Sequence, residues 1–199
     1  LLYAINYNHM KNEMEVTEDY QSQQVKVKFE YYFKNITAGA NYNSNNILLP
    51  MSNATPENTN QIHSLINLFT VTYGGVEDVC MSNGVSTFGS NSSLFDEIPS
   101  ESIGKYNSCN FYINGSDNWS RKLYIRCGGS LNDTVIKINL IECLREIYPN
   151  TASYGKDVML ITNDGTVLAF SDRTCIGLNL SNLLGENWDK SYSDFKTYK

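Results

Sequence analysis

Residues 157–184, DVMLITNDGTVLAFSDRTCIGLNLSNLL, contain the most informative pattern of this chain. Apolar and β-branched residues at 158–162 precede NDG at 163–165, which tolerates the positive φ angles of a tight hairpin turn. A second apolar run follows at 166–170, and an Ile-Gly pair stands at 176–177. The segment therefore predicts a β-hairpin, a loop and then a short helix.

A fainter copy of this pattern occurs earlier in the chain. Residues 76–82 predict a strand, Asn83 and Gly84 a turn, and residues 85–89 a return strand. An Ile-Gly pair follows again, at 103–104. We interpret the two copies as a weak internal repeat. The alternative is chance, because Asn-Gly hairpins are common.

Composition bounds the class of protein. The chain has 199 residues, enough for one large domain or two small ones, and 41% of them are hydrophobic, which predicts a folded globular protein. Its net charge is −6 and no basic stripe is present, so we expect no binding to nucleic acid. Abundant asparagine, with 11 lysines against 4 arginines, is typical of an AT-rich genome and suggests a low-GC bacterium.

The five cysteines form no C-x-x-C pair, and only two histidines accompany them. A zinc site needs close ligand pairs, so we expect no metal site. The odd count leaves at least one cysteine outside any intrachain bridge. Most are expected to be small buried apolar residues. A bridge between Cys109 and Cys127 is conditional on their strands being neighbours.

Before residue 39 the chain has no Gly or Pro, and its apolar residues recur largely at three- and four-residue spacing. A short alternation at 25–31 also fits a strand, but the length of the uninterrupted run favours a long helix. Residues 1–5 are apolar and resemble the end of a transmembrane helix, although an ordinary apolar helix start is the alternative.

The middle of the chain predicts an α+β arrangement. The Asn-rich residues 39–50 predict a loop, and Pro56 the first position of a second helix. Gly and Asn residues within 128–133 predict the turn between the last two strands of this part. The predicted strands are 110–114, 122–127 and 133–140, and a helix is predicted at 141–148.

The order of these elements, with the repeated hairpin and its Ile-Gly echo, resembles a double-Cache domain, the PAS-like extracellular sensor of bacterial receptors. The resemblance implies an α+β fold in which a long N-terminal helix (1–38) packs on an antiparallel sheet. It implies a membrane-distal module at 39–148 and the start of a smaller proximal module at 154–199. A complete proximal module has more strands than the residues up to Lys199 provide.

The resemblance further implies an extracellular domain at the cell membrane, anchored through flanking segments and most similar to the sensors of two-component histidine kinases. Chemoreceptors and membrane-bound cyclases carry the same module. The implied mechanism is binding of a small molecule on the distal sheet, followed by a shift of the long helix. Whether the domain forms a homodimer is left open.

The expected ligand-binding residues are polar or aromatic groups on the distal strands and their connection. Arg126 suits a ligand carboxylate, or else lies in solvent, and Trp119 suits a packing lid. The arginine–aromatic signature of amino-acid-binding Cache modules is absent, since Cys127 follows Arg126 and Asn139 stands where many have aspartate. The set comprises Tyr106, Tyr112, Trp119, Tyr124, Arg126 and Asn139.

An enzyme is the contrasting class. Neither His9 nor His63 lies in a recognisable nucleophile motif, and neighbouring carboxylates such as Asp96 and Glu97 suit solvation better than shared chemistry. We therefore expect no catalytic residues and no cofactor in this domain. A surface protein that adheres through its Asn- and Tyr-rich face is a further alternative.

Overall fold

The computed structural model describes residues 2–48, 56–114, 122–129, 132–147, 159–161, 165–169, 175–179 and 182. Three helices, a π-helical turn, a 3₁₀ turn and eight strands occur in this part of the chain. In order they are α1 Leu2–Asn43, the π-helical turn Ser44–Leu48, α2 Pro56–Thr72, β1 Val76–Ser82, β2 Thr87–Phe88, the 3₁₀ turn Ser92–Phe95, β3 Gly104–Tyr106, β4 Cys109–Asn114, β5 Lys122–Gly129, β6 Asn132–Asn139, α3 Leu140–Ile147, β7 Leu160–Ile161 and β8 Val167–Ala169.

The first six strands form one antiparallel sheet in the order β2-β1-β6-β5-β4-β3. The predicted α+β class is confirmed. Successive side chains of a strand point to opposite faces, so the sheet has two distinct surfaces. The three helices cover one, which we call the helix face. Residues 89–103, which we call the strap, cover the other, the strap face.

The helix face holds the main core. The end of α1 contributes Phe29, Tyr32, Phe33, Ile36 and Ala40, whose three- and four-residue spacing places them on one side of the helix. They pack with apolar residues of α2, α3 and the sheet. At 1.5 Å per residue α1 is about 63 Å long. No helix among the described residues is both long enough and apolar enough to cross a membrane.

The prediction of a loop at 39–50 is wrong for residues 39–48, and residues 49–50 lie outside the described residues. Helix α1 continues through Gly39 to Asn43, and the π-helical turn carries the backbone on to Leu48. Tertiary contacts outweigh the weak helix propensity of this segment. A Cβ atom at Gly39 would lie 3.1 Å from the Phe69 ring, so glycine lets α1 approach α2 closely. Asn46 Nδ2 also donates a hydrogen bond to the Tyr42 carbonyl.

The predicted first hairpin is confirmed, although its return strand is shorter than predicted. The Asn83 Oδ1 atom accepts hydrogen bonds from the backbone N–H groups of Val85 and Ser86, at 3.0 and 2.7 Å. Gly84 has a φ of 81°, which explains the glycine in this turn. The expected turn within 128–133 is partly wrong, because Gly128 and Gly129 pair with β6 inside the ladder.

The second predicted hairpin is present as a separate two-stranded sheet, in which Leu160 pairs with Ala169 and Ile161 with Val167. The segment after it runs alongside β8, because the Gly177 N–H donates to the Val167 carbonyl at 2.8 Å. Ala169 belongs to the same buried cluster as α3. Residues 163–164 and most of the predicted final helix lie outside the described residues.

Candidate ligand-binding face of the sheet

Alternation along the strands brings a set of polar and aromatic side chains onto the strap face. Tyr112 lies directly opposite Tyr124, and Tyr124 lies opposite Lys137. Arg126 occupies the next position on this face of β5. Strands β1, β4, β5 and β6 thus present outward residues to the strap. The apolar part of the contact consists of Cys80, Leu94, Tyr112, Tyr124 and Val135, with Phe95 and Ile98 at its margin.

The strap is held over this face by the carboxylate of Glu97. The Lys137 ammonium donates to Glu97 Oε2 at 2.7 Å, and the Tyr124 hydroxyl donates to the same oxygen at 2.7 Å. The Asn91 amide donates to Oε1 at 3.1 Å. These hydrogen bonds, the one from Lys137 first, lower the pKa of Glu97. Burial and the bond to Glu97 raise the pKa of Tyr124 to about 12. The acid is therefore ionised and the phenol neutral near pH 7.

A second charged pair lies at the other end of this face. Arg126 Nε and Nη2 donate to one oxygen of Asp133, Oδ2, at 2.7 and 2.6 Å. The other oxygen, Oδ1, is buried and has no hydrogen-bond partner among the residues that the structure describes. Burial raises the pKa of Asp133 even though Arg126 opposes the shift. An unpaired buried acceptor costs about 1–3 kcal/mol, so this carboxylate is the least satisfied polar group of the face.

The structure places the predicted ligand-binding residues on two different faces of the sheet. Tyr112, Tyr124, Arg126 and Asn139 share the strap face. Tyr106 pairs with Cys109 and so lies on the helix face, on the edge strand β3.

Two members of the predicted set need separate mention. Asn139 uses its amide elsewhere, because its Oδ1 accepts from the Ile141 N–H at 3.1 Å and its Nδ2 donates to Glu77 at 3.0 Å. It therefore caps α3. Trp119 lies outside the described residues.

The sequence interpretation missed Glu97, Asp133 and Lys137. Lys137 carried a usable signal, since a single lysine between Ile136 and Ile138 marks the polar side of an alternating strand. Asp133 falls within the turn predicted at 128–133, and a turn does not assign its side chain to a face of the sheet. Glu97, next to Asp96, has the sequence pattern of a solvated acid, and no pattern connects it to Lys137, 40 residues away.

The opposite side of the same strands is fastened to the end of α1. The Ser44 and Thr134 hydroxyls share a buried hydrogen bond of 2.7 Å, and Asn132 Nδ2 donates to the Ser44 carbonyl at 2.9 Å. Cys109 and Cys127 are directly opposite each other on β4 and β5 and form a disulfide, which satisfies the condition on which that bridge was predicted.

No protein-family model matches this chain, and no curated protein matches it either. Within the residues that the structure describes, no group of three or more His, Cys, Asp or Glu side chains is placed to hold a metal ion.

Proposed function

We propose that this chain is the extracellular ligand-sensing domain of a bacterial membrane receptor, arranged as a double-Cache protein. It binds a small molecule on the strap face and is anchored through flanking segments. The output that fits best is a sensor histidine kinase, and a chemoreceptor or a cyclase would use the same sensor.

One observation carries this proposal: β6 joins the strap face to the end of α1. Asp133 and Thr134 are consecutive, so their side chains point to opposite faces of the sheet. Asp133 binds Arg126 on the strap face, at 2.7 Å. Thr134 binds Ser44, which directly follows α1. A ligand that displaces β6 through its contacts with Lys137, Arg126 or Asp133 also displaces the attachment of α1.

Such a relay requires the ligand to bind one position of β6 more tightly than the other. The unpaired Oδ1 atom of Asp133 supports this requirement. A ligand that contacts Asp133 or Lys137, which both lie on β6, makes contacts that the unliganded position lacks, and their free energy favours the new position.

The separate sheet formed by β7 and β8 supports the two-module arrangement. It repeats the hairpin order of β1 and β2 and, in the part of the chain that the structure describes, forms a sheet separate from the six-stranded one. Its Ala169 packs in the core beside α3, the helix that follows β6. We assign residues 154–199 to the beginning of the membrane-proximal module.

An exposed stripe on α1 supports a homodimer. Four large side chains on one side of the helix, each 57% to 68% exposed, recur at spacings of seven, four and eleven residues. Spacings of this kind allow two identical helices to pack along a common seam. The four are Tyr20, Val27, Tyr31 and Tyr42. Sedimentation of the Tyr31→Lys variant tests the contact, since it should shift any dimer towards monomer.

The central experiment measures the melting temperature of the domain against a library of neutral, cationic and anionic small molecules. A sensor should be stabilised by one chemical class, because a ligand that binds only the folded state raises its stability. The Lys137→Met variant, which removes the ammonium that binds Glu97, should lose that response. Arg145→Met, which removes an exposed arginine of α3, should keep it.

Stabilisation by no member of the library would contradict the proposal. Binding only to a macromolecular surface would indicate an adhesion protein, and turnover of a compound would indicate an enzyme.

A further inference from the structure

We propose that Glu97 is a built-in competitor for the ligand, and that the ligand is a small monocarboxylate with an apolar body. The carboxylate of the ligand replaces that of Glu97 at Lys137 and Tyr124, and the strap is released. This inference rests on the proposed function, because it names the ligand class of the same face.

The first step of the argument concerns the charges of the sheet. Strands β5 and β6 carry three basic side chains, Lys122, Arg126 and Lys137, and each has a carboxylate partner. The partner of Lys122 is Glu77 on β1, and the partner of Arg126 is Asp133 on β6. Both of these acids are fixed within the sheet. The partner of Lys137 is Glu97, which is part of the strap.

The second step concerns the geometry around Glu97. Lys137 and Tyr124 lie opposite each other on neighbouring strands, and both donate to one carboxylate oxygen at 2.7 Å. A rigid sheet therefore presents an ammonium and a hydroxyl that converge on a single anionic oxygen. This is a carboxylate-binding arrangement, and the chain fills it with its own side chain.

The third step concerns what lies beside the carboxylate. Leu94 of the strap is buried against Tyr112, Tyr124 and Val135, and Ile98 packs at the margin. The strap thus presents an acid and an apolar group together, as a small carboxylic acid with an apolar body would. A ligand of that kind reproduces both contacts when the strap moves away.

An internal competitor lowers the apparent affinity of the external ligand. The binding-competent fraction is the fraction of molecules in which Glu97 has left Lys137, and the measured Kd is the intrinsic Kd divided by that fraction. Removing the Glu97 carboxylate should therefore tighten binding. Removing Lys137 should abolish it.

The test uses propionate, butyrate and benzoate as probes, with their amides as uncharged controls of the same shape. Affinities are measured by calorimetry on the wild-type chain and on Glu97→Ala, with Glu97→Gln as the isosteric second variant. We expect the acids, and not the amides, to bind Glu97→Ala at least about fivefold more tightly than wild type. The matched control Glu101→Ala, which removes an exposed acid of the same strap, should bind as wild type does.

A second measurement does not depend on any variant. Hydrogen exchange of the wild-type chain should become faster at residues 89–103 when benzoate is present and should not change with benzamide. If the contact between Glu97 and Lys137 only stabilises the fold, the opposite is expected, since a bound ligand would leave the strap in place or protect it.

The proposal is overturned if acids and amides bind alike, if Glu97→Ala binds the acids no more tightly than wild type, or if none of the acids binds either protein. It is also overturned if the double variant Glu97→Ala/Lys137→Met retains acid binding. A neutral or cationic hit in the wider library, without binding of acids, would leave the sensing function intact and remove only this inference. Failure of every charge class would remove the function itself.

Discussion

The two faces of the six-stranded sheet are closed by different kinds of interaction. The helix face is covered by α1, α2 and α3 and carries the disulfide between β4 and β5; its packing is mainly apolar, with buried hydrogen bonds of Ser44 to Thr134 and Asn132 at the end of α1. The strap face is covered by fifteen residues without regular strands, residues 89–103, and its central fastening is the ion pair between Glu97 and Lys137. Apolar burial is hard to reverse locally, whereas an ion pair exchanges readily for another. The comparison indicates that stability resides on one face and exchangeable contacts on the other.

The largest expected effect compares two neighbours on β6. Ile136 is fully buried on the helix face and Val135 is fully buried on the strap face. We expect Ile136→Ala to lower the free energy of unfolding by about 4 kcal/mol, because it leaves a cavity in a closely packed core. Val135→Ala should cost about 2 kcal/mol, since it removes less side chain. Urea unfolding measures both, and an equal loss from the smaller Val135 side chain would mean that the strap face is packed more tightly than the helix face.

The disulfide provides the next largest effect. Replacing both Cys109 and Cys127 by serine should lower the free energy of unfolding by about 3 kcal/mol, because the bridge closes a loop with a sequence separation of 18. Cys175→Ser, at a free and half-buried cysteine, is the control and should have little effect.

Both bridged cysteines are fully buried. A thiolate must reach the sulfur to reduce it, so the bridge should resist dithiothreitol until the domain unfolds. Titration of free thiols with and without urea measures this resistance. Rapid reduction in the native state would place the bridge among exchangeable contacts and weaken the contrast between the faces.

A smaller effect, with a characteristic pH dependence, is expected on the strap face. Glu97→Gln should lower stability at pH 7 by about 1 kcal/mol, because a partly exposed ion pair and its hydrogen bond are lost. The pKa of Glu97 is lower in the folded state, so its contribution is present above the unfolded value of about 4.3. It is lost as the pH falls through the folded pKa. The melting temperatures of wild type and variant should therefore converge as the pH is lowered below the unfolded value, and a constant difference would contradict the ion pair between Glu97 and Lys137.

The smallest effect is expected at an exposed ion pair near the beginning of the packed part of α1. Lys26 and Glu30 form an ion pair one helical turn apart, at 3.8 Å. Lys26→Gln should change stability by about 0.5 kcal/mol or less, because solvent screens exposed pairs. A larger loss in a melting experiment would mean that this part of α1 has further contacts that contribute to stability.

The sequence predicted those features that depend on local pattern. Five of the six strands of the sheet follow from β-branched and apolar runs, whereas the short edge strand β3 was not predicted. The Asn83 turn follows from the conformational freedom of Asn-Gly. The end of α1 could not be predicted, because contact between Gly39 and Phe69 outweighs propensity there. The ion pair that holds the strap could not be predicted either. Glu97 and Lys137 meet only because the strap folds across the sheet, and nothing local to either residue records that contact.

The attachment of Asn132 to Ser44 has a consequence for production of the protein. Asn132 begins an Asn-Asp-Thr sequon, a glycosylation signal in eukaryotic secretory pathways. Its amide donates to both the Ser44 carbonyl and Asn45 Oδ1, and the residue is only 8% exposed. An oligosaccharide would remove one of those two N–H donors and has no room beside the π-helical turn. In a eukaryotic secretory host, glycosylation of Asn132 would therefore compete with folding, whereas in a bacterial host the side chain can form both hydrogen bonds.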